Sequence, residues 1–218
     1  MSSLNQIEDN RSELEKILKS VLSKIGSIQI GTKEQFPFGW RKSAKGRTVW
    51  RILEEAINQN LEKYIDELGF KSITPASSEV GVYDFCLLLN SDKKVYVNIK
   101  SAVKGGKVNK DDISKATSLI EFFKEDINYE LYIASFEINF SDDMYINFED
   151  CYVMPIMWLP DIYVNPSNNG NLQSSKYKNI DEAIKRTTDK FMEELEKEIS
   201  NAKVKKLQNR TLKYEVYR

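Results

Sequence analysis

Two short apolar, β-branched runs, Val82 to Leu89 and Lys94 to Ile99, flank the polar tetrad Asn90-Ser91-Asp92-Lys93, and no other feature limits the fold as much. Such runs around a four-residue polar loop predict an antiparallel hairpin. Upstream, Trp50, Leu53, Ile57, Leu61, Tyr64 and Leu68 recur at helical spacing, which predicts a helix over about 47–68 that stops at Gly69. Downstream, Gly105-Gly106 and neighbouring lysines form a loop, Asp111 or Asp112 opens a helix to about Lys124, and Tyr129 to Ile138 reads as a strand. Further strands are expected around 144–149 and 151–159. Helix, hairpin, helix and strand in this order predict an α/β fold, a central mixed sheet flanked by helices, with its core over about 47–138.

The remaining segments extend that core. Leu4, Ile7, Leu14, Ile17, Leu18, Val21, Leu22 and Ile25 predict an amphipathic first helix, capped by Ser2 or Ser3 and stopped by Gly26, serving as a support or a dimer contact. Residues 27–46 are rich in helix breakers, with Phe36-Pro37-Phe38-Gly39-Trp40 running into the basic stretch Arg41 to Arg47. Late in the chain an Asn-rich loop, Asn165 to Asn171, precedes a charged helix expected at about 180–206 with Ile184, Phe191, Met192, Leu195 and Ile199. With 218 residues, 41% of them hydrophobic, and only nine Gly and five Pro, the chain is expected to form one domain over 1–218, with the loop and last helix at about 160–218 added to the core.

Composition narrows the chemistry. No run of eighteen apolar residues exists and the first residues carry no signal-like pattern, so a cytoplasmic protein without a membrane segment is expected. Cys86 and Cys151 sit among apolar neighbours and read as reduced core residues. The chain has no histidine, which removes Ser-His-Asp and Cys-His catalysis and His-ligated zinc. Hydrolysis must then rest on carboxylates, lysine and a hard metal ion. The net charge of −1 is arranged in blocks, about +5 over 33–51, −6 over 52–92, +5 over 93–115, −9 over 116–161 and +4 over 176–218. Such blocks are either solvated helix faces or basic surfaces for a polyanion with carboxylates kept where they can hold cations.

One constellation carries candidate chemistry. Asp84 lies in the first hairpin strand and Asn98-Ile99-Lys100 at the end of the second, so the turn brings them side by side. Period-two alternation puts Asn98 and Lys100 on one face and Ile99 on the other. Tyr83-Asp84, thirteen residues, then Asn98-Ile99-Lys100, set between these helices, resembles the PD-(D/E)XK nuclease superfamily, whose small type II restriction endonucleases of the EcoRV and SwaI kind look most similar. The resemblance implies an αβββαβ core and magnesium, with manganese as substitute, held by Asp84, Asn98 and the backbone carbonyl of Ile99, while Lys100 orients or stabilises the nucleophile. Tyr83 stands where the family pattern has proline. Asn98 stands where it has an acid, and an amide oxygen brings no charge to a cation. Glu54, at the edge of the apolar stripe of its helix, is either a compensating ligand or a partner of Arg51 or Asn58.

The same resemblance implies a homodimer cutting double-stranded DNA at a short palindrome, or a catalytically silent DNA-binding relative. Lys104, Lys107 and Lys110, and also Arg41, Lys42, Lys45 and Arg47, suit phosphate contacts or are plain surface charge. Asn165, Asn168, Asn169 and Asn171, with Gln173, offer amides to adenine edges or simply build a turn. Ser77 and Ser78 are candidates for a minor-groove contact.

Overall fold

The structure is a computed structural model that describes residues 3–40, 45–77, 81–106, 110–167 and 169–216, the side chains of 45–48 and 209–216 excepted. Its elements in chain order are α1 (Leu4–Ile25), β1 (Ser27–Gln29), α2 (Lys45–Lys63), α3 (Ile65–Leu68), β2 (Ser72–Pro75), β3 (Phe85–Leu88), β4 (Lys94–Val103), β5 (Asp111–Lys115), α4 (Ala116–Glu125), β6 (Glu130–Phe140), β7 (Tyr145–Pro155), β8 (Tyr163–Val164), β9 (Asn171–Ser174) and α5 (Thr188–Val216). Six strands form a mixed sheet in the order β1-β7-β6-β4-β3-β2, in which only β4 and β6 run parallel, and β5-β9-β8 form a second, antiparallel sheet. The chain is thus an α/β protein with a mixed sheet flanked by helices. None of the described helices is long and apolar enough to cross a membrane.

Local chemistry explains the first elements. Ser3 accepts the Gln6 N–H while the Gln6 side chain accepts that of Ser3, a reciprocal cap that satisfies two orphan donors of α1. Gly26 ends the helix at φ 65°, a conformation that penalises a Cβ. The hairpin turn falls where the sequence predicts it, with the Leu89 N–H on the Lys93 carbonyl and Asp92 at φ 62°. β4 is buried from Val95 to Ile99 because it is central, with β3 on one side and β6 on the other. Phe122 of α4 meets Tyr96 of β4 edge to face at 5.0 Å, seating the crossover helix on the sheet. One main core is shared by both sheets, since Ile113, Val164, Leu172 and Tyr177 belong to it together with Val95, Val97 and Ile133.

Several boundaries differ from the sequence expectations. Residues 111–115 are a strand and not the start of a helix, because Ile113 is drawn into the core and the segment pairs with β9, about sixty residues downstream. The expected helix at 47–68 breaks at Tyr64 into α2 and α3. The two segments at 144–149 and 151–159 are one continuous strand, β7, followed by a single 3-10 turn at Ile156–Trp158. The last helix begins at Thr188 instead of about 180. Buried Arg186 donates to the Met157 and Leu159 carbonyls, and the Trp158 indole donates to the Arg186 carbonyl, which ties down the chain just before the helix. Ile184 is consequently 50% exposed and not part of a helical stripe.

Candidate active-site cleft

A cleft of about 1250 Å³ opens between the β3–β4 edge, the start of α2, the β5–β9 sheet and α5. Asp84 sits one residue before β3 rather than inside it, just past the Phe85–Val97 pair that ends the β3–β4 ladder. Its carboxylate accepts the Ile99 N–H at 2.5 Å, and its own N–H is held by the Val97 carbonyl at 2.8 Å. Asn98 and Lys100 line the cleft with Asp84. Asn98 is buried, donates its amide to the Val82 carbonyl at 2.9 Å, and leaves its side-chain oxygen without a hydrogen-bond partner among the described residues. Ile99 is a core residue whose backbone N–H is occupied by Asp84.

Glu54 completes the group. On α2, Val49, Leu53, Ile57 and Leu61 are fully buried, and Glu54, beside that stripe, is 14% exposed. Of the two expected structural partners, Arg51 is the one found, with its guanidinium 3.7 Å from Glu54. Burial pushes the Glu54 carboxyl up to about 7, the negative charge of Asp84 adds to this, and Arg51 and Lys100 only partly oppose it. Asp84 is raised by burial as well, against the pull of the Ile99 N–H, Lys100 and Arg51. Lys100 is lowered by burial and held up by Asp84, Glu54, Asp111 and Asp112. Two carboxylates of like charge therefore share one partly dry cleft with a lysine whose ammonium is costly to keep.

The donor set suits a hard divalent cation. It offers two carboxylates, one of whose oxygens already serves Ile99, and an amide oxygen that has no hydrogen-bond partner among the described residues. Among the described residues no cluster of three or more acidic, cysteine or histidine side chains has metal-site geometry.

The sequence reading missed part of the cleft. Trp50, assigned to the buried stripe, is 38% exposed on the cleft wall, with Arg51 stacked 4.0 Å from its ring centre. Asp111 and Asp112, read as helix caps, line the opposite side. Asp111 accepts from the Tyr177 hydroxyl and Asp112 from the Gln173 amide at 2.7 Å. Ile199, Lys203 and Lys206 bring α5 into the cleft, and their spacing of four and three residues was the available signal.

The expected DNA contacts divide. Asn169 and Asn171 line the cleft, with Asn169 at φ 50° in the tight turn between β8 and β9. Asn165 is spent inside that turn, donating to Gln173 and accepting the Ser167 N–H at 2.8 Å. Lys104 is paired with Glu149 at 2.8 Å and Lys110 lies 4.4 Å over the Tyr163 ring; neither lines the cleft. Ser77 is exposed, also outside the cleft lining. Ser78, Lys107, Asn168, Arg41 and Lys42 lie outside the described residues, as do the side chains of Lys45 and Arg47.

No protein-family model matches the chain and no curated protein matches it. Among solved structures, the NlaIV restriction endonuclease is similar with a TM-score of 0.43 and 14% identity, over 78% of this chain and 66% of that one. A likeness this slight transfers neither fold nor activity, which rest here on topology and on the cleft.

Proposed function

We propose that the chain is a magnesium-dependent type II restriction endonuclease that hydrolyses phosphodiester bonds of duplex DNA at a short palindrome, acting as a cytoplasmic homodimer. The observation that carries this reading is the pairing of Glu54 and Asp84, both raised by burial, with Lys100 in one open cleft. Charged groups held in a desolvated concavity at such cost are characteristic of a site that spends the electrostatic strain on a ligand.

In this reading Asp84, Glu54, the Asn98 side-chain oxygen and the Ile99 carbonyl hold magnesium, with manganese as substitute. When bound, the ion polarises the scissile phosphate and acidifies an attacking water. The Ile99 N–H fixes the Asp84 carboxylate. Lys100, its ammonium weakened by burial, orients the attacking water and offsets charge growing on the phosphate. Arg51 balances Glu54 from the outer side of the helix. Asn169 and Asn171 meet base edges from the far wall, and two such chains related by a two-fold axis read the two halves of a palindrome.

A second reading, a DNA-binding relative that does not cut, is favoured by the buried hydrogen bond from Asn98 to Val82, since an acid at 98 could not donate there. A plasmid digest with magnesium, manganese and EDTA lanes separates the two. Discrete bands in the metal lanes alone establish the endonuclease. A gel shift with intact plasmid in every lane establishes the silent binder, and neither cutting nor a shift overturns both.

A further inference from the structure

α5 is the longest helix of the chain and its hydrophobic anchoring is uneven. Phe191, Leu195 and Ala202 are buried along one line, after which Val204 and Leu207 are 53% and 63% exposed. At 100° per residue, Ile199, Lys203 and Lys206 share a sector of about 60° beside that buried line. All three line the cleft that also holds Glu54, Asp84 and Lys100. Both lysines are exposed, and neither forms an ion pair among the described residues.

That lack of partners is informative because the cleft also holds Glu54, Asp84, Asp111 and Asp112. Elsewhere the chain pairs such charges directly, as in Lys104 with Glu149 and Lys176 with Glu182. Among the described residues neither lysine pairs with any of these acids, so the lysines and the carboxylates of the cleft do not neutralise one another by contact. A ligand that satisfies both must present anionic groups to the lysines and reach the carboxylates through a cation. A phosphodiester chain does this with successive phosphates. We propose that Lys203 and Lys206 hold backbone phosphates of the nucleic acid across the cleft from Asp84, which makes α5 a wall that grips the substrate as well as a support. The proposal rests on the nuclease reading above and adds to it where the strand runs.

The test uses the full-length protein in EDTA with a labelled linear duplex, following affinity as salt is raised. Each phosphate contact contributes a slope of about −0.9 in log affinity against log salt, so replacing Lys203 and Lys206 together with Gln should make the slope shallower by about 1.8. Lys197 projects from the opposite side of α5, and Lys197→Gln should leave the slope unchanged. Lys203→Arg with Lys206→Arg, which keeps both charges, should retain the wild-type slope. Matched helical circular dichroism excludes unfolding as the cause of any loss. If the wild-type protein binds duplex and the double Gln variant has the same slope, the grip by α5 is wrong while the nuclease reading stands. If the wild-type protein binds no duplex at any salt, the nuclease reading fails and takes this inference with it.

Discussion

Carboxylates lie near each end of the parallel pair of strands β4 and β6, and the two ends are built in opposite ways. Glu130, opposite Val95 at the start of the pair, is 2% exposed and well supplied with donors. Asn10 donates to it at 2.9 Å, the Tyr132 hydroxyl at 2.5 Å, and the Lys93 ammonium lies 3.0 Å away. Toward the other end, Lys100 lies opposite Ser135, and the carboxylates near it have one another for company. Glu54 has Arg51 at 3.7 Å as its recorded ion pair and Asp84 has one backbone N–H. A buried carboxylate with two donors on one oxygen and an ammonium beside the other holds helix α1 to the sheet, whereas the pair in the cleft has fewer donors and more capacity for a ligand.

The sharpest way to break this contrast is to remove one acid from each end. Asp84→Asn should lower metal-dependent cleavage by about 10³-fold or more, because the ion supplies several kcal/mol of charge stabilisation, while leaving unfolding stability unchanged or slightly higher. Glu130→Ala should do the reverse, costing about 3 kcal/mol in denaturant unfolding by stranding Asn10, Tyr132 and Lys93, with cleavage retained below the melting temperature. If both variants lose stability and activity together, the two ends are not different in kind.

Lys100→Ala comes next and should cost on the order of 10²-fold in cleavage rate at saturating metal, as for loss of a positioned electrostatic group. A near-normal rate in single-turnover kinetics would return Lys100 to an ordinary strand lysine.

The pH dependence sharpens the contrast further. Burial, with the charge of Asp84, pushes the Glu54 carboxyl from its ordinary 4.5 up to about 7, so its contribution to stability is fully present below about pH 4.5 and is lost as pH rises through 7. Glu54→Gln should therefore match the wild-type protein near pH 4 and exceed it by on the order of 2 kcal/mol at pH 8 without metal. Urea unfolding at the two pH values checks this, and a constant difference between the proteins at both would contradict it.

The smallest effect concerns Asn98. Asn98→Asp removes the donor to Val82 and should cost about 1 kcal/mol of stability without metal. It should also raise cleavage at limiting magnesium, since a further carboxylate favours the dication. Cleavage assays and melting curves with and without magnesium test both halves: an unchanged magnesium dependence would remove position 98 from the site, and a variant inactive at every metal concentration would contradict the metal-ligand reading of Asn98.

What the sequence disclosed follows the range of the interactions involved. The hairpin, α1 with its cap, and the strand now defined as β6 are set by local periodicity and turn chemistry, and they stand where the pattern puts them. The neighbouring positions of Asp84, Asn98 and Lys100 follow from the hairpin alone. β5 reads as a helix start in the sequence because its pairing partner, β9, lies about sixty residues away and two adjacent aspartates imitate a helix cap. α5 was begun too early because the backbone contacts of Arg186 are tertiary. Trp50 looked like core by spacing, yet it stands on a cleft wall that only the second sheet and α5 create. Asn165 carried the same residue type as Asn169 and Asn171, and only the fold separates the amide spent in the turn from those on the cleft.

The central claim is that the Glu54–Asp84 end of the sheet holds a divalent cation and the Glu130 end does not. Titration calorimetry of manganese into metal-free protein at pH 8 tests it directly, using wild type, Asp84→Asn and Glu130→Gln. The account predicts a site in the wild-type protein that is lost or greatly weakened in Asp84→Asn and unchanged in Glu130→Gln. Equal binding by the wild-type and Asp84→Asn proteins, or no binding by either, would contradict it.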